Sequence, residues 1–174
     1  APLMATRGYG SPELEATYAA ALALTKRVDV GDPRELVPVL WGLWIFYHVR
    51  GRYGLARSLA EQLLSLTEGS EDSGMRLGAH LARGATAFLS GQLTLGKEHL
   101  FKCLTLYDPV AHRAHAYLYG QDSGMFCRVM LGWDLWILGN PDAALTTKAA
   151  ELPGSRSACG GVASNVVNGP PPSK

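Results

Sequence analysis

The sequence predicts an all-α fold, an α-solenoid in which about seven helices stack as antiparallel hairpins. Apolar residues recur at every third or fourth position, and no stretch alternates convincingly between apolar and polar residues. Four glycines follow helix-like apolar runs at separations of 41, 40 and 48 residues: Gly10, Gly51, Gly91 and Gly139. Such spacing is typical of helical repeat arrays and lies slightly above the period of about 34 residues of tetratricopeptide units.

Helix starts are marked by side chains that can cap a helix. Ser11, Asp32 and Asp108 each precede a proline, which suits the first helical turn. Asp72 and Asp122 supply the cap without the proline. The hairpin glycines can adopt the positive φ that ends a helix. We therefore predict helices at 12–28, 33–50, 53–68, 73–90, 93–107, 123–138 and 141–152, with a short helical turn at 109–117.

The composition divides the chain into two parts. Residues 1–152 carry the repeated pattern and are predicted to form one tetratricopeptide-like helical repeat domain. In residues 153–174, 12 of the 22 residues are Gly, Pro or Ser, so we predict a disordered tail.

Charge and cysteine content exclude several classes of partner and site. The 16 basic and 15 acidic residues nearly balance, which argues against a nucleic-acid or membrane partner. The longest nearly apolar run, residues 37–49, is shorter than the roughly 20 residues of a membrane span. The odd number and wide spacing of the three cysteines predict no disulfide framework and a reducing, cytoplasmic setting.

One group of residues has the composition of a metal site. His112 and His115 would be neighbours on one helical face, and Asp108 and His99 precede them closely. The other interpretation is that Asp108 only caps a helix and that the histidines are ordinary surface residues. We predict no metal, no cofactor and no catalytic residue, and keep a small metal-dependent hydrolase built on these four residues as the alternative function.

Other forms of catalysis have no motif in this sequence. Cys103 and Cys127 lie inside apolar helical runs, where a thiol behaves as a small apolar group. The chain contains neither a GxSxG nucleophile motif nor a GxxxxGK[ST] phosphate loop. We therefore predict that the chain is not an enzyme.

Aromatic and polar side chains offer candidate contacts for a protein partner. The four tryptophans come as two pairs, Trp41 with Trp44 and Trp133 with Trp136, and core packing is the expected role for most of them. Trp44 is the one expected to be partly exposed. His115, Tyr119 and Gln121 form a second group near the open end of a hairpin, around Gly120, where a partner could dock. The alternative interpretation of this segment is that Gly120 simply ends a short helix. The candidate partner-binding residues are Trp44, Tyr47, His48, His112, His115, Tyr119 and Gln121.

Three strings carry a resemblance to a known family: VPVLWGLWIFYHVRGRYGLARSLAEQLL, GATAFLSGQLTLGKEHLFKCLTLYDP and HAYLYGQDSG. Over about residues 8–152, the chain resembles the tetratricopeptide-type region at the C-terminal end of bacterial signalling proteins that join a class III adenylate/guanylate cyclase to a P-loop regulatory ATPase. The resemblance implies a fragment that serves as a helical scaffold, with the cyclase and nucleotide-binding residues outside it.

The function expected from these observations is that of a non-catalytic interaction or regulatory module. Its expected partner is protein, either other domains of the same parent protein or a separate regulatory protein. A freestanding scaffold without a cyclase is a further alternative.

Overall fold

The computed structural model describes residues 33–118 and 121–149, together with residues 13, 16–18, 20 and 23. All regular secondary structure in these residues is α-helical, which confirms the all-α prediction. Most of the predicted helix at 12–28 and the whole predicted tail at 153–174 lie outside the described residues. The helices are α1 (Pro33–Val49), α2 (Tyr53–Thr67), α3 (Ser73–Leu89), α4 (Leu93–Leu106), α5 (His115–Leu118), α6 (Ser123–Ile137) and α7 (Pro141–Ala149).

Three glycine turns join the helices into hairpins, as predicted. Gly51, Gly91 and Gly139 have φ of 69°, 75° and 80°, a conformation that glycine adopts without steric cost. After each glycine, the next backbone N–H donates to a carbonyl five residues earlier, as in the turn from Gln92 to Ala87. This bonding satisfies carbonyls that the end of the helix leaves without a partner.

The hairpins pack so that α3 lies at the centre of the described residues. α1 pairs with α2, α3 with α4, and α6 with α7, while α3 also contacts α1, α2 and α6. α4 packs in addition against α6. Among the described helices, none combines the length and the apolar character that a bilayer-crossing segment needs.

Small residues on α3 allow its neighbours to approach closely. Buried alanines and glycines occupy seven of the 14 positions from Gly74 to Ala87. At Gly84, an added Cβ would lie 2.8 Å from Leu100 Cγ and 3.0 Å from the Leu100 backbone nitrogen on α4. Since side chains in a core are close-packed, this backbone approach leaves no room for a methyl group.

The buried helix α1 supplies the largest side chains of the core. Trp44, Phe46 and Leu40 are fully buried, and the Trp44 indole N–H donates to Thr86 Oγ1 on α3 at 2.9 Å. On the other side, the ring of Tyr18 lies directly against Gly42. α1 is therefore covered by more than its hairpin partner, which explains why it is apolar almost all round.

The structure corrects the prediction about the cysteines. Cys103 on α4 and Cys127 on α6 form a disulfide, and both residues are fully buried. Sequence spacing failed here because the pairing depends on how α4 packs against α6, which the 24-residue separation does not reveal. The cysteine content therefore no longer argues for a reducing compartment, and the cytoplasmic location stays a prediction.

Replacing Gly84 by alanine tests the close approach of α3 and α4. We expect Gly84→Ala to lower the free energy of unfolding by about 1–3 kcal/mol, because the methyl group must displace Leu100 or its backbone. Gly54→Ala is the matched control: Gly54 lies in the first turn of α2, and an added Cβ there would meet no atom within 4 Å. The control is expected to stabilise by up to about 1 kcal/mol. Urea unfolding followed by circular dichroism measures both, and an unchanged midpoint for Gly84→Ala would contradict the packing.

Candidate functional site

The candidate contacts on α1 lie mostly inside the protein. Trp44 is 0% exposed, so its expected partial exposure is wrong, because α3 covers the face on which it lies. His48 is also buried, and its ring centroid lies 4.8 Å from that of Trp44. Burial lowers the pKa of His48 to about 4, which keeps the ring neutral near pH 7. Tyr47 is half-buried.

His112 and His115 are brought together in the connection between α4 and α6. Both are buried, and their ring centroids are 4.8 Å apart. The His112 Nε2 atom lies 3.0 Å from Ser73 Oγ at the start of α3. The His115 Nδ1 atom lies 3.2 Å from Ser123 Oγ at the start of α6. The two histidines therefore join the starts of two helices.

The two helix starts repeat the same four-residue pattern, Asp-Ser-Gly-Met, at 72–75 and 122–125. Asp72 Oδ1 accepts backbone N–H bonds from Gly74 and Met75, and Asp122 Oδ1 accepts one from Met125. The aspartates thus cap their helices, as predicted. The serine that follows each aspartate is the residue that meets a histidine.

The hydrogen bonds fix the tautomer of His112. The Asp108 backbone N–H donates to His112 Nδ1 at 3.0 Å, so the ring hydrogen of the neutral form is on Nε2. His112 Nε2 therefore donates to Ser73 Oγ. In this state His112 has no lone pair with which to take the Ser73 proton, and the pair lacks the arrangement of an activated nucleophile.

Close packing of rings against glycines completes this connection. A Cβ on Gly74 would lie 2.8 Å from His115 Nε2, and one on Gly124 would overlap the ring of Tyr107. The Tyr107 hydroxyl donates to Asp122 Oδ2 at 2.8 Å. Burial, reinforced by this bond, raises the pKa of Tyr107 to about 12. Through these contacts, the described residues of the connection, 107–118 and 121–122, hold the starts of α3 and α6 together. Tyr119 lies outside the described residues, and Gln121 is half-buried.

The four residues of the alternative metal site do not converge. His99 on α4 pairs with His80 on α3, their Nδ1 atoms 2.9 Å apart. Asp108 Oδ1 accepts N–H bonds from Val110 and Ala111, and these bonds lower the pKa of its carboxyl group. In the described part of the chain, no group of three or more His, Cys, Asp or Glu residues is placed to hold a metal ion. The predicted convergence of these four residues is wrong, because Asp108 bonds to the backbone of its own turn and His99 faces His80 on α3.

The most unusual exposed feature lies on the C-terminal half of α6. Trp133, Trp136 and Ile137, here called the aromatic surface, are 48%, 60% and 59% exposed. The Trp133 ring stacks on Phe88 of α3, with centroids 6.5 Å apart. Core packing was expected for most tryptophans, and this is wrong for the second pair. The sequence did indicate that the two pairs differ in position within the repeat. The exposed pair lies 6 and 3 residues before its hairpin glycine, whereas the buried pair lies 10 and 7 residues before its own.

A buried acid lies between the exposed tryptophans. Asp134 is 0% exposed, and neither carboxylate oxygen has a hydrogen-bond partner among the described residues. Its Oδ2 atom would lie 2.8 Å from a Cβ placed on Gly96 of α4. Burial raises the pKa of Asp134 to about 6, against a smaller opposing effect of Lys97. No motif in the sequence marked this residue.

Comparisons of the chain with protein-family models, with curated proteins and with solved structures found no match. The geometry of the described residues is therefore the basis for any functional assignment.

Asp134→Asn tests the cost of the buried acid. The pKa of about 6 exceeds the ordinary value of 3.8, so between these pH values the folded protein binds more protons than the unfolded chain. Stability contributed by the protonated form is therefore lost as the pH rises through this window. We expect Asp134→Asn to stabilise the protein by about 1–3 kcal/mol at pH 8 and by clearly less at pH 5.

The control for this prediction is Asp142→Asn, which changes an exposed carboxylate in the first turn of α7. It is expected to lower stability by no more than about 1 kcal/mol through the helix dipole. Thermal or urea unfolding at the two pH values measures both variants. A gain for Asp134→Asn that does not depend on pH would contradict the ionisation of a buried Asp134.

Proposed function

We propose that this chain is a non-catalytic helical-repeat interaction module of the tetratricopeptide-like solenoid type, and that the aromatic surface on α6 contacts its protein partner. The observation that carries the proposal is the exposure of Trp136 and Ile137, which are adjacent in sequence and 60% and 59% exposed. Contiguous exposed apolar side chains are typical of protein interaction sites. Tryptophan is also enriched among the residues that contribute most to binding.

The pairing of the helices supports a solenoid. The first helix of each hairpin packs on the first helix of the next, in the series α1, α3, α6. The second helix of each hairpin also packs on the following first helix, as α2 does on α3 and α4 on α6. Nearest-neighbour stacking of this kind is the arrangement of helical repeat proteins.

The partner proposed for this surface is a protein segment with an apolar face. Near-neutral overall charge gives little electrostatic steering, so burial of apolar area must supply the affinity. The resemblance to the repeat region of cyclase–ATPase signalling proteins favours a regulatory role, with a partner among the domains of a parent protein or a separate regulator. An amphipathic helix is one segment that presents such a face.

Selected peptides provide the test of this surface. Peptides with an amphipathic helical pattern are selected from a display library on the immobilised full chain, and their affinities are then measured by fluorescence anisotropy. We expect Trp136→Ala to weaken the selected peptides by at least about thirtyfold, the effect of losing a dominant interface residue. Ile137→Ala is expected to weaken them less, because it removes a smaller apolar area.

Phe101→Ala is the matched control, because Phe101 on α4 is 61% exposed and lies outside the aromatic surface. Its affinity for the same peptides is expected to stay within about twofold of the unchanged chain. If Trp136→Ala and Phe101→Ala weaken binding equally, or if neither does, the aromatic surface is not the binding site. Circular dichroism of each variant checks that the helices are retained.

A further inference from the structure

Two histidines face each other across the α3–α4 hairpin. The Nδ1 atoms of His80 and His99 lie 2.9 Å apart, and the ring planes are inclined by 36°. Both residues are half-buried. At this separation one Nδ1 carries a hydrogen and the other accepts it, so the two rings share a single hydrogen bond.

Both rings are available in the form that binds metal ions. Burial lowers the pKa of both, to about 4 for His99, so the imidazoles are neutral near pH 7. Neutral imidazole is the form that ligates a metal. For an ion to bind both Nδ1 atoms, the ring that carries its hydrogen on Nδ1 would move it to Nε2, with no net release of a proton. Both rings would also turn, so that lone pairs that lie along the hydrogen bond converge on the ion.

The separation of the two nitrogens determines which ions fit. For an ion about 2.05 Å from each Nδ1, the angle between the two metal–nitrogen bonds would be about 90°. This is the angle between neighbouring ligands in square-planar and octahedral complexes, which Cu²⁺ and Ni²⁺ prefer. Tetrahedral Zn²⁺ would need the nitrogens about 3.3 Å apart, and hence a small opening of the hairpin.

We propose that His80 and His99 form a two-imidazole site for a divalent transition-metal ion, with Cu²⁺ and Ni²⁺ preferred over Zn²⁺. This goes beyond the proposed interaction function and uses residues on other helices. Because no third His, Cys, Asp or Glu of the described chain joins the pair, water would fill the remaining ligand positions. His80 also lines a cleft of about 420 Å³ between the end of α2 and α3, which gives an ion and its water access to the His80 ring.

The surrounding charges limit the affinity without preventing binding. Lys102, Arg76 and Arg83 are close enough to oppose a positive charge on the histidine pair. Two of these cations are paired, Lys102 with Glu98 at 2.8 Å and Arg83 with Glu61 at 3.7 Å. Removing the Lys102 charge should therefore strengthen metal binding while both ligands remain in place.

Titration of the full chain, without a purification tag, with NiCl₂ in a calorimeter tests the site. We expect His80→Ala and His99→Ala each to weaken Ni²⁺ binding by at least about tenfold. Lys102→Ala is expected to tighten it by about two- to fivefold. His99→Gln keeps a hydrogen-bonding side chain and serves as a second variant should His99→Ala unfold.

Further measurements separate this site from other donors. Electron paramagnetic resonance of the Cu²⁺ complex is expected to show coupling to two imidazole nitrogens, and to only one in His99→Gln. The third cysteine of the sequence is Cys159, and Cys159→Ser removes its sulfur as a possible ligand. Trp136→Ala is expected to leave the Ni²⁺ affinity unchanged because it alters only the aromatic surface. Equal Ni²⁺ affinity in the original chain and in folded His80 and His99 variants would overturn the proposal.

Discussion

The close approach of α3 to α4 is the constraint on which the other contacts depend. Gly84 lies so near the backbone of Leu100 that the two helices contact each other with little side chain between them. Their register then places His80 opposite His99. Because α4 is held in this position, its other face meets α6, where Cys103 reaches Cys127. A hairpin with larger side chains at this contact would separate the helices and lose both pairings.

The connection between α4 and α6 explains how an irregular repeat spacing is accommodated. The separation from Gly91 to Gly139 is 48 residues, against 40 for the preceding pair of glycines. In the described part of this connection, the additional residues form only the short helix α5. They carry His112 and His115 inward, where each meets the serine of one Asp-Ser-Gly-Met helix start. The insertion therefore links two successive hairpins at their N-terminal ends, where backbone N–H groups need partners.

Helix positions were predictable from the sequence because their signals are local. The starts of α2 and α3, at Tyr53 and Ser73, coincide with the predicted ones, since a glycine turn and a capping aspartate act within a few residues. The burial of side chains was not predictable in the same way. Trp44 and Trp136 both lie in apolar helical runs, but Trp44 is fully buried and bonded to α3, whereas Trp136 is 60% exposed. The pairs His80–His99 and Cys103–Cys127 likewise depend on the register between helices, which no local pattern specifies.

The C-terminal half of α6 departs from the most stable arrangement in two independent ways. Trp136 and Ile137 leave large apolar areas in water, and Asp134 places a carboxyl group in the interior without a hydrogen-bond partner among the described residues. The exposed side chains forgo the stabilisation that removal of their apolar area from water would provide. The buried acid without a hydrogen-bond partner costs desolvation free energy. Burial of the rings by a partner would recover the first cost but leaves the second unchanged. The proposed binding would thus explain the aromatic surface, whereas Asp134 requires a separate explanation in the internal packing of α4 and α6.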